Sequence, residues 1–381
     1  MMSVRRNPFK PSAGHLPPLL VGRDDILDDF TTALDDGPGA PGRLMRITGA
    51  RGVGKTVILT EFRDLASKRG WEVIKETASP GMANRLLTKL SPHRGSVGFT
   101  LNPSVNVANI AGASLGEIRY ERAKQLPLTL FEALSARLDE LERKHVGLLL
   151  EIDEAQAADR DDMIAVATAA QELNTWNRDY ALVFAGLPSM SSKWLNDDVI
   201  TFMRRAEPQP LADVPLAAVS EALGDTFADT GMLLTGEPLH RATEATAGYP
   251  FMIQLVGYHV WRAAHRAHPS DAAVTMDDVE QGVAKAHSRL GDAVHEPELD
   301  GLSPVDKTYL LAMAQDDGPS STSAVAERMG RDVGYASRYR ARLLDAQVIR
   351  ESGYGMVDFT IPYLREYLRE HAAFLQMKER N

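Results

Sequence analysis

The sequence predicts an α/β fold: a mostly parallel sheet with helices on both faces, followed by two smaller units. Three observations lead to this expectation. Short apolar runs typical of buried strands alternate with segments whose apolar residues recur at helical spacing. Residues 215–290 then keep the helical spacing without any strand signal, and residues 303–381 combine helices with a short hairpin. A chain of 381 residues is long enough for two or three domains.

The N-terminal part is expected to be an extended arm over residues 1–20, because four prolines interrupt it. Apolar residues at helical spacing then predict a helix over 25–34. A loop rich in glycine and proline, 35–42, leads to the first strand, 44–47.

The stretch that follows this strand, Gly49 to Thr56, has the pattern G-x-x-x-x-G-K-T of a phosphate-binding loop. A helix pattern comes directly after it, so backbone N–H groups would point at an anion. The pattern predicts a P-loop NTPase core over residues 21–212, with ATP and Mg²⁺ as its ligands. Lys55 would reach the β- and γ-phosphates, and Thr56 would bind Mg²⁺. The residues expected around the phosphates are Gly49, Arg51, Gly52, Val53, Gly54, Lys55, Thr56 and Val57. A chance match in a glycine-containing turn is the alternative, and the flanking strand and helix argue against it.

A second apolar strand, 147–152, ends in two acids, Asp153 and Glu154. Asp153 would bind Mg²⁺ through water, and Glu154 would activate the attacking water. Ordinary solvated acids at a strand end are the alternative. The pairing of this strand with the phosphate loop favours the catalytic interpretation.

Further elements complete the core. We expect strands at 71–75 and 180–186, and helices at 82–90, 128–144 and 161–176. The nucleotide should lie at the carboxyl edge of the parallel strands. Residues 91–122 predict an inserted β-hairpin, which either decorates the core or contacts a partner.

Two smaller units should follow the core. Residues 213–300 predict a helical lid, with helices near 215–229, 237–247, 250–267 and 276–290. Residues 301–381 predict helices at 305–314, 322–329 and 335–346, strands at 348–350 and 356–359, and a last helix from 361. This order is typical of a winged-helix domain. Its third helix and wing offer the side chains expected to contact duplex DNA: Tyr335, Arg338, Arg342 and Tyr354.

Together these motifs resemble the AAA+ ATPases of the initiator type, the origin-recognition and archaeal-ATPase group. The segments that carry the resemblance are Val21-Gly22-Arg23, Gly49 to Thr56, Leu148 to Glu154, Gly248-Tyr249-Pro250 and Phe359 to Leu368. The resemblance implies that Val21, Gly22, Arg23, Tyr249 and Pro250 contribute to the nucleotide pocket, with Phe9 near the base. It also implies an arginine finger, Arg204 or Arg205, that acts on the nucleotide of a neighbouring subunit in an ATP-bound homo-oligomer.

Two positions depart from the family pattern. The end of the fourth strand reads Ala185-Gly186-Leu187, where the family usually has a polar residue, and the lid turn has Phe251 where replicative initiators have arginine. Both resemble the archaeal-ATPase and signal-transduction (STAND-related) branch. They imply slow hydrolysis by a nucleotide switch.

Composition limits the function classes further. There is no cysteine, which excludes disulfides and fits a cytoplasmic protein, and no apolar run has the ~18 residues of a membrane span. The net charge is −10, but residues 303–381 carry 11 basic and 11 acidic residues, so nucleic-acid contact is expected at the C-terminus. We expect a DNA-associated ATPase. The alternatives are a signalling or defence switch whose winged helix binds a protein partner, and a small-molecule kinase.

Overall fold

The computed structural model describes residues 6–12, 21–90, 129–190, 201–267 and 272–378. The expected hairpin at 91–122 lies outside the described residues, as does most of the N-terminal arm. Within these ranges no helix is both long and apolar enough to cross a membrane.

The central sheet has five strands, β1 (Leu44–Thr48), β2 (Glu72–Thr77), β3 (Leu148–Asp153), β4 (Tyr180–Gly186) and β5 (Glu207–Pro210). All are parallel, in the order β2-β3-β4-β1-β5. β4 therefore separates β1 from β3, and the carboxyl ends of the three strands meet at one edge of the sheet.

Five helices cover the sheet: α1 (Asp24–Asp36), α2 (Lys55–Lys68), α3 (Met82–Leu90), α4 (Leu130–Glu142) and α5 (Arg160–Thr175). Alternate residues of β3 enter two different cores. Leu149 packs with α1 and α2, whereas Leu148 and Leu150 pack with α3, α4 and α5. This is why β3 is apolar on both faces apart from Glu151 and its terminal Asp153, as expected for a strand buried on both faces.

Residues 213–300, the segment predicted to form the lid and called the lid below, contain α6 (Leu216–Asp229), α7 (Gly236–Glu244), α8 (Pro250–Ala267) and α9 (Met276–Leu290). A Cβ on Gly282 of α9 would lie 2.6 Å from Val260 Cα of α8, so only glycine permits this approach of the two helices. α9 continues through a π-helical turn, Gly291–His295, into α10 (Glu296–Asp300).

The C-terminal unit, residues 301–378, contains α11 (Pro304–Met313), β6 (Ser320–Ser321), α12 (Thr322–Arg328), α13 (Val333–Asp345), β7 (Ile349–Glu351), β8 (Met356–Phe359) and α14 (Leu364–Lys378). β8 pairs antiparallel with both β6 and β7. The unit has its own apolar core, which includes Tyr309, Leu343 and Phe359. Tyr363 attaches it to the lid, because its hydroxyl donates to the Ala245 carbonyl at 3.0 Å.

Most expected elements are present, with ends shifted by a few residues. β4 and α3 have the predicted bounds. β5, β6, the π-helical turn and α10 were not expected. The parallel five-stranded sheet confirms the predicted α/β fold class.

Candidate functional site

Two glycines determine the backbone conformation of the loop between β1 and α2. Gly52 has φ +75° and Gly54, the residue before α2, has φ +95°. Both lie in the left-handed region, which is costly for other residues. A Cβ on Gly52 would also lie 1.9 Å from the Tyr249 hydroxyl oxygen. Glycine therefore permits this loop conformation directly before the α2 N-terminus, where an anion is favoured.

Lys55 begins α2 and is 6% exposed. Its Nζ donates to the carbonyls of Gly49 and Ala50, at 2.9 and 2.8 Å. Burial lowers the pKa of Lys55, and the nearby carboxylates of Glu154 and Asp153 oppose this. Among the described residues, Lys55 Nζ donates to these loop carbonyls and to no carboxylate, and a buried ammonium group of this kind is suited to an incoming anion.

Thr56 and Asp153 meet at the same edge of the sheet. The Thr56 hydroxyl donates to Asp153 Oδ2 at 3.0 Å, although 97 residues separate them in sequence. Hard oxygen ligands of this kind suit Mg²⁺, which usually keeps several waters. The pair therefore fits the metal expected from the sequence.

Glu154 adopts a left-handed backbone, with φ +54° and ψ +38°. Its Oε2 accepts a hydrogen bond from Gln156 Nε2. Gln156 Oε1 in turn accepts from the backbone N–H of Leu187, at 3.0 Å, just after β4. Gln156, in the short 3₁₀ helix after β3, thus places a polar side chain at the end of β4. The last two residues of β4, Ala185 and Gly186, have no polar side chain.

These residues border a cavity of about 780 Å³ at the carboxyl edge of the sheet. Eleven of the predicted site residues line it: Val21, Arg23, Arg51, Gly52, Val53, Gly54, Lys55, Thr56, Val57, Glu154 and Pro250. Gly22, Gly49, Asp153 and Tyr249 lie outside the lining. Phe9, expected near the base, packs instead beneath α8 against Gly257 and borders a neighbouring cavity.

Two contacts join the phosphate loop to distant parts of the chain. The buried Tyr249 hydroxyl donates to the Arg51 carbonyl at 2.7 Å, and burial raises the Tyr249 pKa above its usual range. Arg51 Nη1 pairs with Glu298 Oε2 of α10 at 2.8 Å. Burial raises the pKa of Glu298, and Arg51 opposes this. The loop therefore contacts both the lid turn and the helix that leads into the C-terminal unit.

Sequence reasoning missed several residues of this site. Glu298, Val294, Gln254 and Ser12 line the cavity but belong to no local motif. Gln156 lies two residues after Glu154, and its position in a loop next to an acid pair was the available signal.

The remaining predicted residues lie away from the cavity. Arg204 and Arg205 are exposed at the end of a short 3₁₀ helix, Thr201–Arg205. In the C-terminal unit the Arg338 guanidinium lies 5.3 Å from the centre of the Tyr335 ring, and Arg342 pairs with buried Asp306 at 2.9 Å.

Comparison with known proteins agrees with this fold. A model of the AAA ATPase domain matches residues 19–184, and a domain of unknown function (DUF8462) matches residues 292–368. No curated protein matches the chain. The structure of the Aeropyrum pernix ORC2 protein, determined as ADPNP–ADP complexes, is similar with a TM-score of 0.62 and 14% identity, over 97% of this chain and 98% of that one. A Walker-type ATPase of Pyrococcus abyssi is similar with a TM-score of 0.64 and 15% identity, over 92% and 96%. At this identity the likeness is one of fold.

Proposed function

We propose that this chain, an origin-recognition-like P-loop ATPase by its AAA ATPase domain and its fold, binds ATP and hydrolyses it as a switch of conformation or assembly. One observation carries the proposal. Four side chains from two distant motifs meet at one cavity edge, with Thr56 and Asp153 in hydrogen-bond contact and Lys55 and Glu154 lining the cavity.

Binding would use the backbone N–H groups of the loop and of the first turn of α2 for the phosphates. Lys55 would exchange the carbonyls of Gly49 and Ala50 for phosphate oxygens, an ion pair in place of two hydrogen bonds to uncharged acceptors. Thr56 and Asp153 would hold Mg²⁺, which when bound neutralises charge on the phosphates.

Hydrolysis would depend on Glu154. Its carboxylate would accept a proton from the water that attacks the γ-phosphorus, while the bond to the bridging oxygen breaks and ADP leaves. Gln156 would orient that carboxylate through the hydrogen bond to Oε2. We infer slow turnover, because Ala185, Gly186 and Leu187 offer no polar side chain at the end of β4.

The test separates binding from hydrolysis. Lys55→Ala should abolish detectable nucleotide binding, because it removes the charge that faces the phosphates. Glu154→Gln should bind a non-hydrolysable ATP analogue normally and lose hydrolysis about 10²-fold or more. Glu172→Gln, an exposed glutamate of α5, is the matched control. Wild-type phosphate release by Glu154→Gln would refute the assignment of the base.

We also propose that the C-terminal unit is a winged helix that contacts duplex DNA through α13 and the wing. Tyr354 at the turn between β7 and β8 is fully exposed, and Arg338 is exposed over the Tyr335 ring. The unit has no net positive charge, so affinity should be modest and strongly salt-dependent.

Fluorescence anisotropy of a labelled duplex, with and without ATP, tests this proposal. Arg338→Ala combined with Arg342→Gln should weaken binding and reduce the salt slope by about two. Glutamine at 342 keeps a donor for Asp306. Arg143→Ala with Arg266→Ala removes two exposed arginines elsewhere and should leave the slope unchanged. Wild-type protein that binds no duplex at low salt in either nucleotide state would contradict DNA contact.

A second candidate is a signalling or defence ATPase whose C-terminal unit binds protein. Ion pairs within the chain favour it, because they engage cations near α13: Arg342 with Asp306, and Arg340 with Glu351 at 3.0 Å. The Tyr335 and Tyr339 rings, 5.0 Å apart, also offer a surface of the kind enriched in protein interfaces.

A further inference from the structure

A second cavity, of about 870 Å³, adjoins the nucleotide cavity, and Lys10, Phe251 and Ala293 line both. One face of α8 forms one wall through Phe251, Tyr258 and Arg262, which recur at helical spacing. Lys285 and Arg289 of α9 form a second wall. The cavity is therefore a groove between two tightly packed helices.

The third wall is the N-terminal arm, which is fixed to α8 at several points. Asn7 Nδ2 donates to the Tyr258 carbonyl at 2.9 Å, and the Lys10 backbone N–H donates to Gln254 Oε1 at 3.2 Å. Between them the Phe9 ring occupies the space that a Cβ on Gly257 would take, since the two would be 2.4 Å apart. Lys10 is thus held at the edge of the groove.

Positive charge dominates this groove. Lys10, Arg262, Lys285 and Arg289 line it, against a single carboxylate, Asp292. No ion pair in the described part of the chain engages Lys10, Arg262 or Lys285. Arg289 and Asp292 are 3.6 Å apart and both well exposed, a weak arrangement. In a chain of net charge −10, four cations from three segments around one concavity are a local exception.

The positive charges of the groove also affect the pKa of His259. It lines the groove half-buried, and its pKa is lowered to about 4 by burial and by Arg262, Lys285 and Arg289. The imidazole is therefore neutral at pH 7. One ring nitrogen can donate a hydrogen bond to a ligand and the other can accept one, without adding positive charge.

We propose that this groove binds a small molecule carrying two or more phosphate groups, at a site distinct from the phosphate loop. Cations on separate walls can surround a compact polyanion, and guanidinium groups suit phosphate oxygens. The rings of Phe251 and Tyr258 can pack against the uncharged part of such a ligand. The site does not depend on ATP hydrolysis.

Calorimetric titration of pyrophosphate into full-length protein saturated with ADP tests the site, because ADP fills the phosphate loop. Binding should weaken about tenfold or more in Arg262→Ala combined with Lys285→Ala, which removes two charge-assisted contacts. Lys68→Ala combined with Arg266→Ala removes one lysine and one arginine from exposed positions outside the groove, and should bind like wild type. Wild-type-like thermal unfolding of each variant verifies its fold.

A further variant separates this site from the phosphate loop. Lys55→Ala should still bind pyrophosphate, which would support the groove even if the chain did not bind ATP. Loss of pyrophosphate binding in Lys55→Ala would overturn the proposal, as would equal affinity in the groove variant and its control. One other result would assign the groove to nucleic acid instead. In that case duplex DNA would bind the wild-type protein, would not bind the groove variant, and would not be displaced by pyrophosphate.

Discussion

Among single residues, Glu151 is the least expected in its surroundings. It lies in β3, two residues before Asp153, and is 1% exposed. Neither carboxylate oxygen has a hydrogen-bond partner among the described residues, and the nearest cation is Arg63, with Nε at 3.3 Å. Burial raises the pKa of Glu151 to about 8, opposed by Arg63 and Lys75. The protonated form is therefore favoured in the folded protein near neutral pH.

This carboxyl group should make the protein less stable as the pH rises. A folded pKa above the unfolded value means that the folded state binds more protons between pH 4.5 and 8, so the contribution is present at low pH and is lost towards pH 8. Between pH 5 and 8 the free energy of unfolding should fall by roughly 3 kcal/mol more in wild type than in Glu151→Gln. Urea unfolding across this range measures it, with Asp64→Asn, an exposed carboxylate of α2, as control. Parallel curves for wild type and Glu151→Gln would contradict the shift.

At the scale of elements, α10 adds a wall to the nucleotide cavity that the sequence did not predict. It follows α9 without a break, and Val294, Pro297 and Glu298 line the nucleotide cavity. Glu298 is 8% exposed and pairs with Arg51, which is largely exposed. The pair links the phosphate loop to the helix that partly covers the cavity.

Breaking this pair should speed the release of bound nucleotide. Glu298→Gln and Arg51→Gln should each raise the dissociation rate of a fluorescent ADP several-fold, because an ion pair with one exposed partner contributes about 1 kcal/mol. The double variant should be no faster than the more affected single variant, since both changes remove one contact. Glu296→Gln, an exposed neighbour on α10, is the control. Fully additive effects in stopped-flow displacement would show that the two residues act independently.

At the scale of the whole molecule, the proposed self-assembly predicts that one subunit completes the site of another. Subunits lacking Arg204 and Arg205 should hydrolyse ATP poorly, as should subunits with Glu154→Gln. Mixing the two should restore activity, because an intact Glu154 then meets an intact arginine from its neighbour. Arg143→Ala with Lys144→Ala is the control for loss of exposed charge. No recovery, together with a monomer in sedimentation with ATP, would refute the arrangement.

How much of this the sequence predicts depends on how local each signal is. β4 and the phosphate loop follow from a few adjacent residues, and the structure agrees with both. β5 contains Pro208 and Pro210, which remove ladder donors and argue against a strand unless it lies at an edge, as this one does. The contact between Arg51 and Glu298 spans 247 residues, so no local pattern could predict it.

The unbroken helical run from Met276 to Asp300 begins in the lid and ends three residues before the first helix of the C-terminal unit. Its 25 residues extend about 37 Å at the usual helical rise. Near one end, Gly282 lets the run pack closely against α8. Near the other end, Glu298 pairs with Arg51 of the phosphate loop. For a straight helical run of this length, a tilt of about 10° would displace the far end by about 6 Å. A tilt of the run driven from the nucleotide cavity would therefore move the point where the C-terminal unit begins by the same distance.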